Sequence, residues 1–178
     1  LPEVISRANE GQDPLFAPPW DTVWRSDITD GSGGMGDWQL ADATIEPNNV
    51  GGLQSIYPLE TAILLQLFTD ARSPDYVLTS SGPRGWHGDT FDVNTELNEA
   101  PMGSLLWTLE QGVLNADTAR KAKAYATQAL QTLIAQKVVA DIKVDVEIDP
   151  KAGRLNLQVR CYTDNGTALY DKGFALFN

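Results

Sequence analysis

The apolar positions of this chain change period along its length, and each change marks an element. Ile142, Val144, Val146 and Ile148 alternate strictly with Asp141, Lys143, Asp145 and Glu147, the two-residue period of a strand with one wet face. Leu155, Leu157, Val159 and Cys161 repeat the alternation after a turn at Asp149-Pro150-Lys151-Ala152-Gly153. Asp164-Asn165-Gly166-Thr167 carries the Asn-Gly signal of a tight hairpin, so a third strand, about Ala168 to Phe177, closes an antiparallel meander. Cys161 falls on the apolar side of its strand and reads as a small core residue in preference to a reactive thiol.

Two stretches follow a helical period. After Pro58, which suits a first helical turn, Leu59, Ile63 and Leu67 recur with Leu64 and Phe68 beside them, predicting a core helix with one broad buried face. The longer helix starts at the cap Asn115, with Asp117 in its first turn to complement the helix dipole, and ends near Lys137. Ala119, Ala122, Ala126, Ala129, Leu130 and Leu133 line one side of it, small enough to let another element approach closely. Between these helices a short one, about Ser104 to Glu110, carries Leu105, Leu106, Trp107 and Leu109 and belongs between layers.

Elsewhere the periodicity fails. From Ser73 to Pro101 the chain has prolines, glycines and small polar residues, a loop long enough to be functional or held by a partner. Two short pieces, Trp20 to Trp24 and Asp37 to Leu40, flank the flexible Asp30-Gly31-Ser32-Gly33-Gly34 and predict a loose hairpin. Asn48-Asn49-Val50-Gly51-Gly52 marks another turn. Pro2, Pro14, Pro18 and Pro19 keep the first nineteen residues out of a helix. The expected organisation is an extended arm over 1–19 and one α+β domain over 20–178. In that domain a C-terminal antiparallel meander of about three strands packs on two to three helices, beside the N-terminal hairpin. The arm, with Leu15, Phe16 and Trp20 near its end, is either a flexible leader or a segment that lies on a neighbour.

Composition narrows the functions. A chain of 178 residues, 42% hydrophobic, can bury one core. Its 13 basic and 24 acidic residues leave a net charge of -11. Such a surface repels phosphate backbones and anionic lipid, which argues against direct nucleic-acid or membrane binding. It fits a basic protein partner, or simple solubility. The one cysteine forms no intrachain disulfide and suits assembly in a reducing compartment. No apolar run approaches the roughly 20 residues of a membrane span, and the first residues lack a signal-peptide pattern. A soluble protein made in a cytoplasm is expected.

The candidate chemistry is thin. His87, the sole histidine, sits near Asp89 and Asp92 and would serve as a metal ligand or as a general base oriented by Asp89. No second histidine, cysteine pair or metal-binding spacing accompanies them. The alternative is structural: Gly85 and Gly88 permit a tight turn, Trp86 plugs an apolar gap and Asp89 caps local amides. Glu60 with Asp70, or Glu96 with Glu99, would be the carboxylate pair of a glycosidase, if they flanked a cleft. No phosphate loop or nucleophile elbow is present, and no cofactor or metal is expected.

Taken in order, several blocks carry a resemblance: Leu59-Glu60-Thr61-Ala62 with Leu67-Phe68-Thr69-Asp70, Arg84-Gly85-Trp86 with Gly88-Asp89, Gly103-Ser104-Leu105-Leu106-Trp107, and the long helix running into Val144 and Val146. From about Trp20 onward the chain resembles the Mu-type bacteriophage baseplate wedge family. That family is itself similar to the small wedge protein of larger contractile tails, long labelled lysozyme-like. The resemblance implies a non-enzymatic virion protein of the tail baseplate, assembled in the host bacterial cytoplasm. Its implied partners are other wedge proteins, the tail sheath protein and central hub or tube proteins, normally with six copies per baseplate. In the larger-phage relatives a Glu-Pro-Arg motif falls where the long helix meets the first strand. Here that place reads Val138-Val139-Ala140-Asp141-Ile142, so the motif's contact does not carry over. The competing function is a peptidoglycan-degrading tail hydrolase using paired carboxylates.

A small sheet has edges, and an unpaired edge is a template for a partner strand. Either Leu155 to Tyr162 or Tyr170 to Phe177 is the expected receiving edge, with Leu157, Val159, Tyr170 and Phe174 as contact residues. The expected contacts to other wedge proteins are Phe16 and Trp20 in the arm, and Arg84, Trp86, His87 and Asp89 in the long loop.

Overall fold

The computed structural model describes residues 23–25, 35–37, 40–54, 58–74, 82–88, 93–110 and 112–176. Phe16, Trp20, Asp89, Asp92 and Phe177, and with them the extended arm, lie outside the described residues. The chain divides into two compact units, Leu1–Ala62 and Ile63–Asn178.

In the first unit the expected hairpin forms from β1 (Val23–Arg25) and β2 (Met35–Asp37), antiparallel with Trp24 opposite Gly36. A closed loop follows, its ends joined by a bridge between Leu40 and Leu53. The Ala41 amide donates to the Gly52 carbonyl at 2.8 Å, and the buried Asn49 fixes the interior by donating Nδ2 to the Leu53 carbonyl at 2.7 Å. The division between the units falls within the first helix, α1 (Pro58–Phe68), which begins at its proline as read. Ile63 and Leu67 are buried, whereas Leu65 and Phe68 are exposed.

The second unit is organised by α2 (Ala116–Ala135) and the meander of β3 (Asp141–Asp149), β4 (Arg154–Tyr162) and β5 (Ala168–Leu176). Asn115 caps α2 by accepting from the Thr118 amide at 2.9 Å. At the other end Lys137 adopts φ 59°, and the Val138 amide reaches back to the Leu133 carbonyl at 2.9 Å, the six-to-one bond of a Schellman stop. Ala122, Ala126, Ala129, Leu130 and Leu133 are buried, and α2 packs on β3.

Both ladders are antiparallel, with Val144 opposite Val159 and Leu157 opposite Phe174. On β4 every second residue is interior: Leu155, Leu157, Val159 and Cys161 are at most 1% exposed. Fully burying such a side chain contributes roughly 1.5–3 kcal/mol, so this row is the centre of the core. Desolvation pushes the Cys161 thiol up to about 11. The opposite face is polar and laced across strands: Arg160 Nη1 stands 3.1 Å from Asp145, and Arg160 Nε 3.5 Å from Asp171.

Two expectations change. The segment read as a helix from Ser104 to Glu110 is a 3-10 helix over Leu106–Leu109, because Ser104 is drawn into a bridge with Asp70. The loop from Ser73 to Pro101 contains a 3-10 turn, Thr95–Leu97, clasped by Asn94 and Glu99: the Glu96 amide donates to Asn94 Oδ1, and the Asn94 amide to Glu99 Oε2.

Candidate protein-binding site

The site begins where α1 ends. Beyond Phe68 the chain runs extended and pairs in parallel with Ser104, whose amide donates to the Thr69 carbonyl at 2.9 Å and whose carbonyl accepts from the Ala71 amide at 3.0 Å. The Ser104 hydroxyl donates to the last-turn carbonyl of Leu67 and accepts from the Leu106 amide at 3.2 Å. This close approach needs Gly103. With φ at 116°, a Cβ there would stand 2.7 Å from the Thr69 carbonyl oxygen and 2.9 Å from the Ala71 nitrogen, both backbone atoms.

The 3-10 helix then turns Trp107 inward. The ring is 7% exposed and its Nε1 donates to the Ala71 carbonyl at 2.9 Å, the partner a buried indole needs. Arg84 lies over this ring, its guanidinium carbon 5.0 Å from the centroid. Its Nη1 is 3.3 Å from Asp70 Oδ2 and 3.7 Å from Glu110 Oε2. All three charged groups are a third or more exposed, so each ion pair contributes only about 0–1 kcal/mol. Burial of Trp107 and the backbone bridge hold the corner, while the charges define its surface. Gly85 presses on Arg72, where a Cβ would meet backbone at 3.2 Å, and its φ of 139° excludes most other residues.

The expected plug is therefore the wrong tryptophan. Trp86 is 38% exposed; its ring folds over Gly88, where a Cβ would fall 2.2 Å from the ring atoms, and meets the exposed His87 edge-on at 5.5 Å. Trp86 and His87 are surface groups on a turn, and Trp107 fills the interior. Among the described residues no group of three or more His, Cys, Asp or Glu side chains could hold a metal ion, and Glu99 is engaged in the loop clasp already described.

The sheet decides between the two expected edges. A meander flanks its middle strand on both sides, and β4 is hydrogen-bonded to β3 and to β5. Leu155 to Tyr162 is thus no edge, and Leu157 and Val159, at 1% and 0% exposure, are interior residues that a partner reaches only by unfolding the sheet. Among the described residues β3 and β5 are the two edges, and they differ. On its polar face β3 presents Asp141, Lys143, Asp145 and Glu147, all charged and exposed, and Lys123 of α2 reaches Asp145 at 3.4 Å. Charged edges resist pairing. On the same face β5 presents Asp171 and then only Gly173 and Ala175. A register shift leaves Leu169 without a partner on β4 and 49% exposed. On the other face Tyr170 is buried, Lys172 is exposed, and Phe174 is half-buried with its ring 5.3 Å from that of Phe68, edge to face.

Asp70, Trp107 and Glu110 line one groove with Phe68, Ala175 and Leu176, so the corner and the end of β5 are neighbours. The sequence gives no sign of this adjacency: Glu110 follows an apolar run like any solvated acid, and Phe68 reads as core.

The fold is α+β, and among the described residues its surface carries a strand edge, an apolar groove and an acidic rim. The family model for phage protein GP46 matches residues 59–168, from α1 to the first residue of β5. Baseplate protein gp46 of Escherichia phage Mu is 32% identical over 123 residues, spanning 67% of this chain and 80% of the relative. The Mu-like prophage FluMu protein gp46 of Haemophilus influenzae is 31% identical over 136 residues, spanning 75% and 91%. The chain belongs to this family of Mu-type baseplate proteins.

Proposed function

We propose that this chain is a structural subunit of a contractile phage tail baseplate, joining the central hub and wedge complex to the first sheath ring. Its place is the virion tail, in six copies, assembled in the host cytoplasm. It accepts a partner strand on β5. The observation that carries this reading is the asymmetry of the sheet: β3 is fenced with four exposed charges, whereas β5 carries two, Asp171 and Lys172, and otherwise exposes glycine, alanine and a leucine with no partner in the ladder. An incoming strand supplies the ladder hydrogen bonds that an edge lacks, and side chains on alternate faces give it specificity. Other wedge proteins meet the loop surface at Arg84, Trp86 and His87. The role is mechanical and needs no catalysis.

The test is co-purification of the full chain with the sheath and wedge proteins encoded alongside it, followed by hydrogen exchange of each complex. Amides of β5 should become protected while those of β3 stay as they are in the free chain. Complexes that form with β5 unprotected would remove strand addition. Clearing of peptidoglycan by the purified chain, abolished by Glu96→Gln, would remove the non-enzymatic reading.

A further inference from the structure

Beside the C-terminal end of β5 lies a groove of about 230 Å³. Its floor is apolar: Phe68 from the end of α1, Leu106 and Trp107 from the 3-10 helix, and Leu176 from β5. Phe68 is 45% exposed, a large apolar ring left open to solvent beside a strand edge. The rim is acidic, with Asp70 and Glu110 facing the guanidinium of Arg84. Among the described residues, two carboxylates against one guanidinium leave the rim one charge negative, on a chain whose net charge is -11, and the exposed Asp171 and Lys172 of β5 offset each other. Ala175, an exposed residue of β5, lines the same groove, so edge and groove form one continuous surface.

We infer that β5 and this groove act as one dock for an extended, basic partner segment. Rows of side chains in adjacent strands lie side by side, so a strand laid along β5 sends alternate residues over the Phe68 and Phe174 side of the sheet. One of these, aliphatic or aromatic, enters the groove against Phe68 and Trp107. A lysine or arginine next to it in the partner meets Glu110 and Asp70 and completes the pairing that Arg84 leaves unbalanced. The recognised chemistry is therefore a β-strand bearing an apolar anchor and a flanking cation. The inference rests on β5 as the receiving edge, but makes a separate claim about what the incoming strand must carry.

The test uses the full chain and four synthetic strand peptides that differ at two positions: leucine or serine as the anchor, arginine or glutamate as the flanking residue. Binding is followed by backbone amide and Trp107 indole NMR shifts. The leucine–arginine peptide should bind tightest, and changing its leucine to serine should weaken it about tenfold, the worth of one buried apolar side chain. Its shifts should map to Phe68, Trp107 and Phe174 to Leu176. Glu110→Lys should weaken that peptide and strengthen the leucine–glutamate one, and this swap of preference is not produced by a variant that is merely less stable. Four peptides of equal affinity, with β5 amides protected in each, would overturn the inference while leaving strand addition intact. No binding by any peptide would overturn the dock, and no β5 protection in the sheath or wedge complexes would overturn the edge as well. A free chain that dimerises through this face, and dissociates on Glu110→Lys, would make a second copy the occupant and the inference wrong.

Discussion

Gly103 shows how one residue without a side chain fixes a surface made of large ones. Its φ is positive, and two backbone atoms lie within 3 Å of the point a Cβ would occupy. No inexpensive adjustment is open, because neither neighbour is a flexible side-chain end. Gly103→Ala should cost about 2–4 kcal/mol, read as a lowered midpoint in denaturant unfolding; a variant within 0.5 kcal/mol of the parent would mean that the bridge from Asp70 to Ser104 is dispensable, taking about 0.5 as the scale of a neutral surface change. Cys161 makes a second residue-scale prediction. Its thiol is pushed from 9.0 up to about 11 by burial, so between those values the unfolded chain ionises while the folded chain keeps its proton. Stability should therefore fall as pH rises through that window, and Cys161→Ala should make the fall shallower in the same titration. Trp86 and Trp107 mark the limit of reading at this scale. Trp86 lies between Gly85 and Gly88 and Trp107 in an apolar run, and only the partner of the indole, a carbonyl 36 positions away at Ala71, tells the buried ring from the exposed one.

Elements were legible where the period was unambiguous. The alternation from Asp141 to Cys161 gave strand bounds and facing correctly because each strand has one wet face, and Asn115 and Asp117 placed the start of α2. Strand order follows from the same hairpin turns, which make β4 central; the expectation of an edge at Leu155 to Tyr162 fails on topology that the turns already imply. The expected end of α2 near Lys137 also holds, and there Lys137 takes a left-handed conformation that glycine favours. Relieving it by Lys137→Gly should raise stability by about 0.5–1 kcal/mol, measured by chemical denaturation, and an unchanged or lowered midpoint would show that the lysine side chain contributes more than its strain costs. The fenced edge carries its own prediction. Replacing Lys143 and Glu147 with threonine removes two of four edge charges and adds β-propensity. Light scattering should then show concentration-dependent association absent from the parent chain; a variant that stays monomeric would deny the charges their protective role.

At the scale of the molecule, the proposed assembly role would divide between charge and contact chemistry. The excess of 24 acidic over 13 basic residues makes copies repel one another, and the same field draws a basic partner from beyond contact range. The close contacts proposed for the dock have a different character: ladder hydrogen bonds on β5 and an apolar groove, neither of which acts much beyond touching distance. Long-range attraction is screened over about 10 Å at about 0.1 M salt, whereas backbone bonds and buried apolar area are not. Association of the chain with a basic sheath or wedge protein should thus slow steeply with salt, on the order of tenfold between about 0.05 M and 0.5 M. Dissociation should change little over the same range. Stopped-flow mixing and dilution measure the two separately. If salt instead speeds dissociation and leaves association untouched, the acidity acts in the contact itself, and the net charge plays no part in bringing partners together.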